Sequence, residues 1–247
     1  MPDFVAHILI TRPLGQQLPF AQECRKMGFK VSHIPCLAIE AFDSGQLLGP
    51  LLDTADIVLF TSQNAVLHAH AQHPLPWIGV QVHAIGNATA KLLSTFHQPL
   101  GTKPLAPFNS ESCVRQLQRL PAQSLLIVKG VDGRSLIAEQ LQPMGWTVST
   151  HAVYRRTMPA VPHSLINEAF EKRPPDIVSI GSNETLLNLM TLAREYEPAL
   201  LHSRLLVNSH RCSELAASIG FTRVPLVAMP AGDEGQLKAL RTWVSAR

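Results

Sequence analysis

Short apolar runs alternate with amphipathic stretches along the whole chain. The runs are HILIT (His7 to Thr11), KVSHI (Lys30 to Ile34), DIVLFT (Asp56 to Thr61), VHAIG (Val82 to Gly86), SLLIVKG (Ser124 to Gly130), TVSTHAVY (Thr147 to Tyr154), DIVSIG (Asp176 to Gly181), RLLVNS (Arg204 to Ser209) and VPLVAM (Val224 to Met229). Each has the length and β-branched content of a strand buried on both faces. The stretches between them read as helices. In LPFAQECRKMG, Phe20, Cys24 and Met27 share one face and Gly28 follows as a stop. SLIAEQLQPMG repeats the device with Leu136, Ile137, Leu141 and Gly145, and RCSELAASIGF does so with Leu215, Ile219 and Gly220. Strand alternating with helix predicts parallel sheets with right-handed crossovers.

One stretch occurs twice. DIVLFTSQNAV begins at Asp56 and DIVSIGSNETL at Asp176, an offset of 176 − 56 = 120 residues. Both carry a Ser at the bend (Ser62, Ser182), expected to cap the helix that follows, and an Asn behind it (Asn64, Asn183). After each come a helix, a strand, a polar bend and another helix. The repeat favours two doubly wound domains over one nine-stranded sheet. IPCLAIEAF and HAVYRRTMP have an extended look, with Pro35 and Pro159 marking them. They predict a double crossing at 35–40 and 151–158. One domain is then 1–34 with 159–247, and the other is 41–150. GTKPLAPFNSES reads as a loop leading to an N-cap at Ser110.

Composition narrows the function classes. Of the 247 residues, 46% are hydrophobic and 16% charged, enough for a core; the net charge of +3 is too weak a bias to predict nucleic-acid binding. Aromatics at 6% argue against stacking platforms. The four cysteines form no C-x-x-C pair and are expected to be reduced core residues. No signal peptide and no membrane span are read, so a cytoplasmic protein is expected.

The chain lacks G-x-G-x-x-G, a P-loop, H-E-x-x-H and G-x-S-x-G. In HAHAQH, His70 and His73 share a helix face but His68 does not, so no metal site is expected. What remains is a set of polar bends at strand ends, where open α/β sheets bind ligands. They are ITRP (Arg12), FTSQNA (Ser62, Asn64), IGNATA (Asn87, Thr89), VKGVDGR (Lys129, Gly130, Arg134), IGSNE (Ser182, Asn183) and NSHR (Ser209, Arg211). Most open a helix, whose N-terminal N–H groups favour anions. The pattern predicts a cleft between two domains for a molecule with several carboxylates or phosphates. Tyr154, in the second crossing with Arg155 and Arg156 behind it, is expected either to overhang that cleft or to pack the hinge.

In order and combination, ILITRP, FTSQNAV, HAIGNATAKLL, VKGVDGRSLIAEQLQPMGWTVSTHAVYRR and SELAASIGF resemble the uroporphyrinogen-III synthase family of tetrapyrrole biosynthesis. The resemblance implies two flavodoxin-like, doubly wound parallel-sheet domains joined by a two-stranded connector. It implies cyclisation of hydroxymethylbilane to uroporphyrinogen III, with loss of water and inversion of ring D, and no cofactor or metal. The bilane's eight carboxylates match a set of helix N-termini and scattered cations. Tyr154 matches a tyrosine proposed to assist loss of the hydroxyl, and Thr89 matches a threonine of the family's G-x-x-T-A segment. A monomer is expected, with transient hand-over of substrate from the preceding enzyme and no nucleic-acid or membrane partner. The chain departs from the family where the second half reads NSHRCS, which puts Cys212 at the threonine position. The competing expectations are a non-catalytic binding protein for a polyanion and a transferase with a nucleotide site, the latter disfavoured by the missing glycine fingerprint.

Overall fold

The computed structural model describes residues 6–171 and 173–246. In chain order its elements are β1 (His7–Ile10), α1 (Leu18–Lys26), β2 (Lys30–His33), β3 (Ala38–Ala41), α2 (Leu48–Asp53), β4 (Ile57–Phe60), α3 (Gln63–Gln72), β5 (Gln81–Ala84), α4 (Asn87–Thr95), α5 (Ser110–Leu117) and β6 (Ser124–Gly130). Then follow α6 (Leu136–Leu141), β7 (Thr147–Thr157), α7 (His163–Phe170), β8 (Ile177–Ile180), α8 (Asn183–Leu192), α9 (Glu197–Leu200), β9 (Arg204–Val207), α10 (His210–Ile219), β10 (Leu226–Val227) and α11 (Asp233–Ser245). All nine apolar runs carry a strand. A tenth, β3, lies inside IPCLAIEAF.

The chain divides into two compact units, Met1–Ala38 with Thr157–Arg247, and Ile39–Arg156. The first unit's sheet has the order β10-β9-β8-β1-β2, and the second β3-β7-β6-β4-β5. The expected connector segments carry β3 and the end of β7. β3 and β7 are neighbours in the second sheet, where the amide of Phe42 donates to the carbonyl of Val153. β7 also continues the parallel register of β6. Strands buried on both faces explain the continuous apolar runs. In the first unit Leu9, Val178, Leu205 and Val207 face one side with α7, α8 and α10, while Ile8, Ile10, Ile177 and Leu206 face the other with α1 and α11. In the second, Val58, Phe60, Leu126 and Val128 pack towards α3 and α4, and Ile57, Leu59, Leu125 and Ile127 towards α5 and α6.

The hydrogen bonds explain why both repeats open on Asp. Asp56 accepts the backbone N–H of Ser124 at 2.9 Å and its hydroxyl at 2.6 Å. Asp176 accepts the backbone N–H of His7 at 2.8 Å. Each aspartate thus satisfies the first N–H of the strand beside it, β6 in one unit and β1 in the other. The pairing β2-β1-β8-β9 therefore corresponds to β7-β6-β4-β5, and the second unit is a circular permutant of the first. In each unit the strand order reverses beside the repeated strand, between β1 and β8 and between β6 and β4. Such reversal points are where open sheets form ligand crevices.

Candidate active site

In the second unit, β4 ends at Phe60 and the chain turns through Thr61 and Ser62. Ser62 is extended (φ −165°), and its Oγ accepts the N–H of Ala65 at 3.1 Å, capping α3. Across the reversal point lies Gly130, the end of β6, where the register with β7 shifts by a residue. The shift brings Tyr154 over Gly130. A Cβ on Gly130 would lie 2.7 Å from Cζ of that ring, so only glycine leaves the ring this space. The phenol oxygen sits 3.1 Å from Ser62 Oγ, and the ring stacks on His68 with centroids 5.8 Å apart. Tyr154 is only 3% exposed. Of the two expectations for Tyr154 the ring is packed rather than overhanging: on the α3 side of β7 it is drawn into the core between Gly130 and His68.

The other bends of this unit contribute helix N-termini. Gly86 is the N-cap of α4, which makes Asn87 its first helical residue, exposed, while Thr89 is buried. Asn64 is half-buried in the first turn of α3. The expected cations are engaged locally. Lys129 Nζ donates to the carbonyl of Gly133 at 2.6 Å, and Arg134 pairs with Glu111 at 2.6 Å. The latter hydrogen bond holds the Glu111 carboxyl below its usual range. The helix at 110–117 is capped one residue earlier than expected. Asn109 accepts the N–H of Ser112 and Ser112 Oγ accepts that of Asn109, a reciprocal capping box.

In the first unit, Ser182 caps α8 by accepting the N–H of Thr185 at 3.2 Å, and Ser209 caps α10 by accepting that of Cys212 at 3.3 Å. Asn183 and Arg211 lie in the first turns of these helices, Asn183 half-buried and Arg211 exposed. Arg12, expected as a cation for substrate, is held by its own unit. It pairs with Asp233 at 2.7 Å, donates to Gln236 Oε1 at 2.9 Å and lies 4.3 Å from the centroid of the Phe20 ring. Gln236 is 1% exposed; it also accepts from Ser179 Oγ at 3.2 Å and donates to Asn208 Oδ1 at 3.1 Å. Asn208 in turn accepts the N–H of Gly232. This network fixes the start of α11 against the ends of β1, β8 and β9. Gln236 and Asn208 were not singled out from the sequence. The available signal was Gln236 four residues before the buried Leu240, a polar side chain on the inner stripe of a helix.

Burial pushes the thiols of Cys24 and Cys113 up to about 12 and raises Cys36 and Cys212, so none is poised as a nucleophile. His70 Nδ1 accepts the N–H of Leu75 at 2.9 Å, an internal tie at the end of α3. Among the described residues no group of three or more His, Cys, Asp or Glu could hold a metal ion, and no helix is long and apolar enough to cross a membrane. Common to the two units are helices of nine or ten residues, α3 and α4 in one and α8 and α10 in the other, each starting at the carboxyl end of a strand. Their first-turn N–H groups carry partial positive charge and match carboxylates.

Residues 19–229 match the family model described as "Uroporphyrinogen-III synthase HemD". The uroporphyrinogen-III synthase of Escherichia coli is 31% identical over 253 residues, covering 95% of this chain and 99% of that protein. That of Salmonella typhimurium is 30% identical over 248 residues, with the same coverage. Two solved structures share the fold. The uroporphyrinogen III synthase of Thermus thermophilus superposes with a TM-score of 0.63 at 16% identity, covering 98% of each chain. The Helicobacter pylori enzyme does so with 0.65 at 14%, covering 98% of this chain and 100% of that one. With a family match across most of its length and relatives at this identity over 95% of it, the chain belongs to the uroporphyrinogen-III synthase family.

Proposed function

We propose that this protein converts hydroxymethylbilane to uroporphyrinogen III. The observation that carries the reading is the family match across residues 19–229. The arrangement of the strand ends supports it in physical terms. A linear tetrapyrrole with eight carboxylates needs many weak anion contacts rather than one strong catalytic cluster. Helix N-termini capped by Ser62, Gly86, Ser182 and Ser209 supply contacts of that kind. The bends of each unit offer such contacts to substrate carboxylates, with Asn64, Asn87, Asn183 and Arg211 adding side-chain contacts. Thr89, being buried, supports the turn that presents the first residues of α4.

In the reaction, the terminal hydroxymethyl C–O bond breaks and the oxygen leaves as water after taking up a proton. The azafulvene cation left behind is attacked by the substituted carbon of ring D, forming a spiro intermediate. That intermediate fragments and recloses with ring D inverted, and a proton is lost as the pyrrole regains aromaticity. The unassisted bilane closes to the uninverted isomer, so the protein's contribution is to hold the reacting carbons in register. Tyr154, which matches the family's tyrosine proposed to assist loss of the hydroxyl, stands 3.1 Å from Ser62 Oγ at this bend. The test is incubation with fresh hydroxymethylbilane, then oxidation and separation of the isomers. Type III product supports the reading. Type I product alone, as in buffer, refutes it and leaves a polyanion-binding protein.

A further inference from the structure

Tyr154 lies beneath the bend that Ser62 forms. The tyrosine is 3% exposed, whereas Ser62 is half-buried and stands at the open side of the reversal point. Ser62 Oγ is 3.1 Å from the N–H of Ala65 and 3.1 Å from the Tyr154 hydroxyl. A serine hydroxyl has two acceptor positions and one hydrogen. Ala65 fills one acceptor position. If the phenol donates, it fills the other, and the serine hydrogen is left to point out of the protein. We propose that Tyr154 is a positioning residue that acts through Ser62, and that the Ser62 hydroxyl is the group that donates a hydrogen bond to an oxygen of the substrate.

The surroundings favour this direction. The Tyr154 ring cannot swing outward to meet a ligand itself, because Gly130 on one side and His68 on the other hold it in place. Two donors converging on one oxygen draw electron density from it, which strengthens the hydrogen bond its own O–H gives. The matching serine in the first unit has a different neighbour: Ser182 Oγ lies 2.9 Å from the aliphatic hydroxyl of Thr185, in its own helix. The two copies of the repeat therefore differ in chemistry, and only the one at Ser62 has a tyrosine behind it.

The substrate part of this inference rests on the function proposed above; the direction of the hydrogen bond does not. The chain has two tyrosines, so Tyr196→Phe leaves Tyr154 as the only one. In that background the Raman Fermi doublet of tyrosine reports whether the phenol donates or accepts. A donor signature in the free protein, lost in Ser62→Ala, is expected; an acceptor signature overturns the proposal. This measurement on the folded Tyr196→Phe protein decides the question even if Ser62→Ala folds poorly. Kinetics then test the substrate role. Tyr154→Phe and Ser62→Ala are each expected to slow type III formation about a hundred- to a thousand-fold, the scale of one preorganised donor. The double variant is expected to be no slower than Ser62→Ala, and Ser62→Thr to retain most activity. A loss in kcat places the contacted oxygen on the departing hydroxyl, and a rise in KM places it on a carboxylate. If the two single losses multiply in the double variant, Tyr154 acts independently of Ser62 and the proposal fails. If the parent protein makes no type III isomer, it is the function that fails, while the Raman result stands.

Discussion

Gly130→Ala is the most direct probe of how the second unit's reversal point is built. The added Cβ would sit 2.7 Å from Cζ, 2.8 Å from Cε2 and 3.0 Å from the hydroxyl of Tyr154. Ordinary contact begins at 3.4 Å, so the ring must retreat by about 3.4 − 2.7 = 0.7 Å. Stacking on His68 leaves it little room. Displaced by that amount away from the bend, the phenol oxygen moves from 3.1 Å to about 3.8 Å from Ser62 Oγ, beyond hydrogen-bond reach. Overpacking of this kind costs about 1–3 kcal/mol, and the lost hydrogen bond about 1 kcal/mol more. The combined loss of about 2–4 kcal/mol is readable as a lower urea midpoint at unchanged slope. The matched control is Gly181→Ala at the carboxyl end of β8, where a Cβ meets nothing within 4 Å. It is expected to stay within about 0.5 kcal/mol of the parent. Gly130→Ala with parental stability and parental turnover would refute the packing account of Tyr154.

In the first unit, Gln236→Ala strips partners from Arg12, buried Ser179 and Asn208 together. A loss of about 2 kcal/mol or more is expected in urea unfolding, and a change below about 0.5 kcal/mol would show that the network is not stabilising. Stability should also fall with acid. Burial lowers the imidazole values of His7, His83 and His151, and Nε2 of His83 is buried with no hydrogen-bond partner. Because the folded values are depressed, this stability is complete above the ordinary value of 6.5 and is lost as pH falls from there through the lowered folded values. Equal urea midpoints at about pH 7 and about pH 5 would contradict that sign. KM for the bilane should rise with ionic strength, since helix N-termini and an exposed Arg211 are screened; a flat response would count against the carboxylate contacts.

The strands were legible because burial on both faces leaves its mark residue by residue. Every run from HILIT to VPLVAM became one. The capping role of Ser62 and Ser182 was legible too, since a serine at a strand end reaches only three residues ahead. The cap at Asn109 was misplaced by one residue because Asn109 and Ser110 are both competent and only the actual backbone path selects between them. The role of Asp56 and Asp176 was hidden: their partners Ser124 and His7 lie 68 and 169 residues away. So was the engagement of Arg12, whose partners Asp233 and Gln236 sit in a helix at the far end of the chain.

By itself, the sequence determined the alternation of strand and helix, the doubling of one strand-bend-helix unit and the residues that cap its helices. Those properties depend on periodicity and on groups within a few residues of each other. Tertiary structure alone decided that the second unit is a circular permutant of the first, that three of the expected cations are already paired, and that Tyr154 is buried behind Ser62. Each of these depends on which distant strand lies alongside which. That choice is made by burial of whole faces and by single hydrogen bonds closing long loops, and no local pattern encodes it.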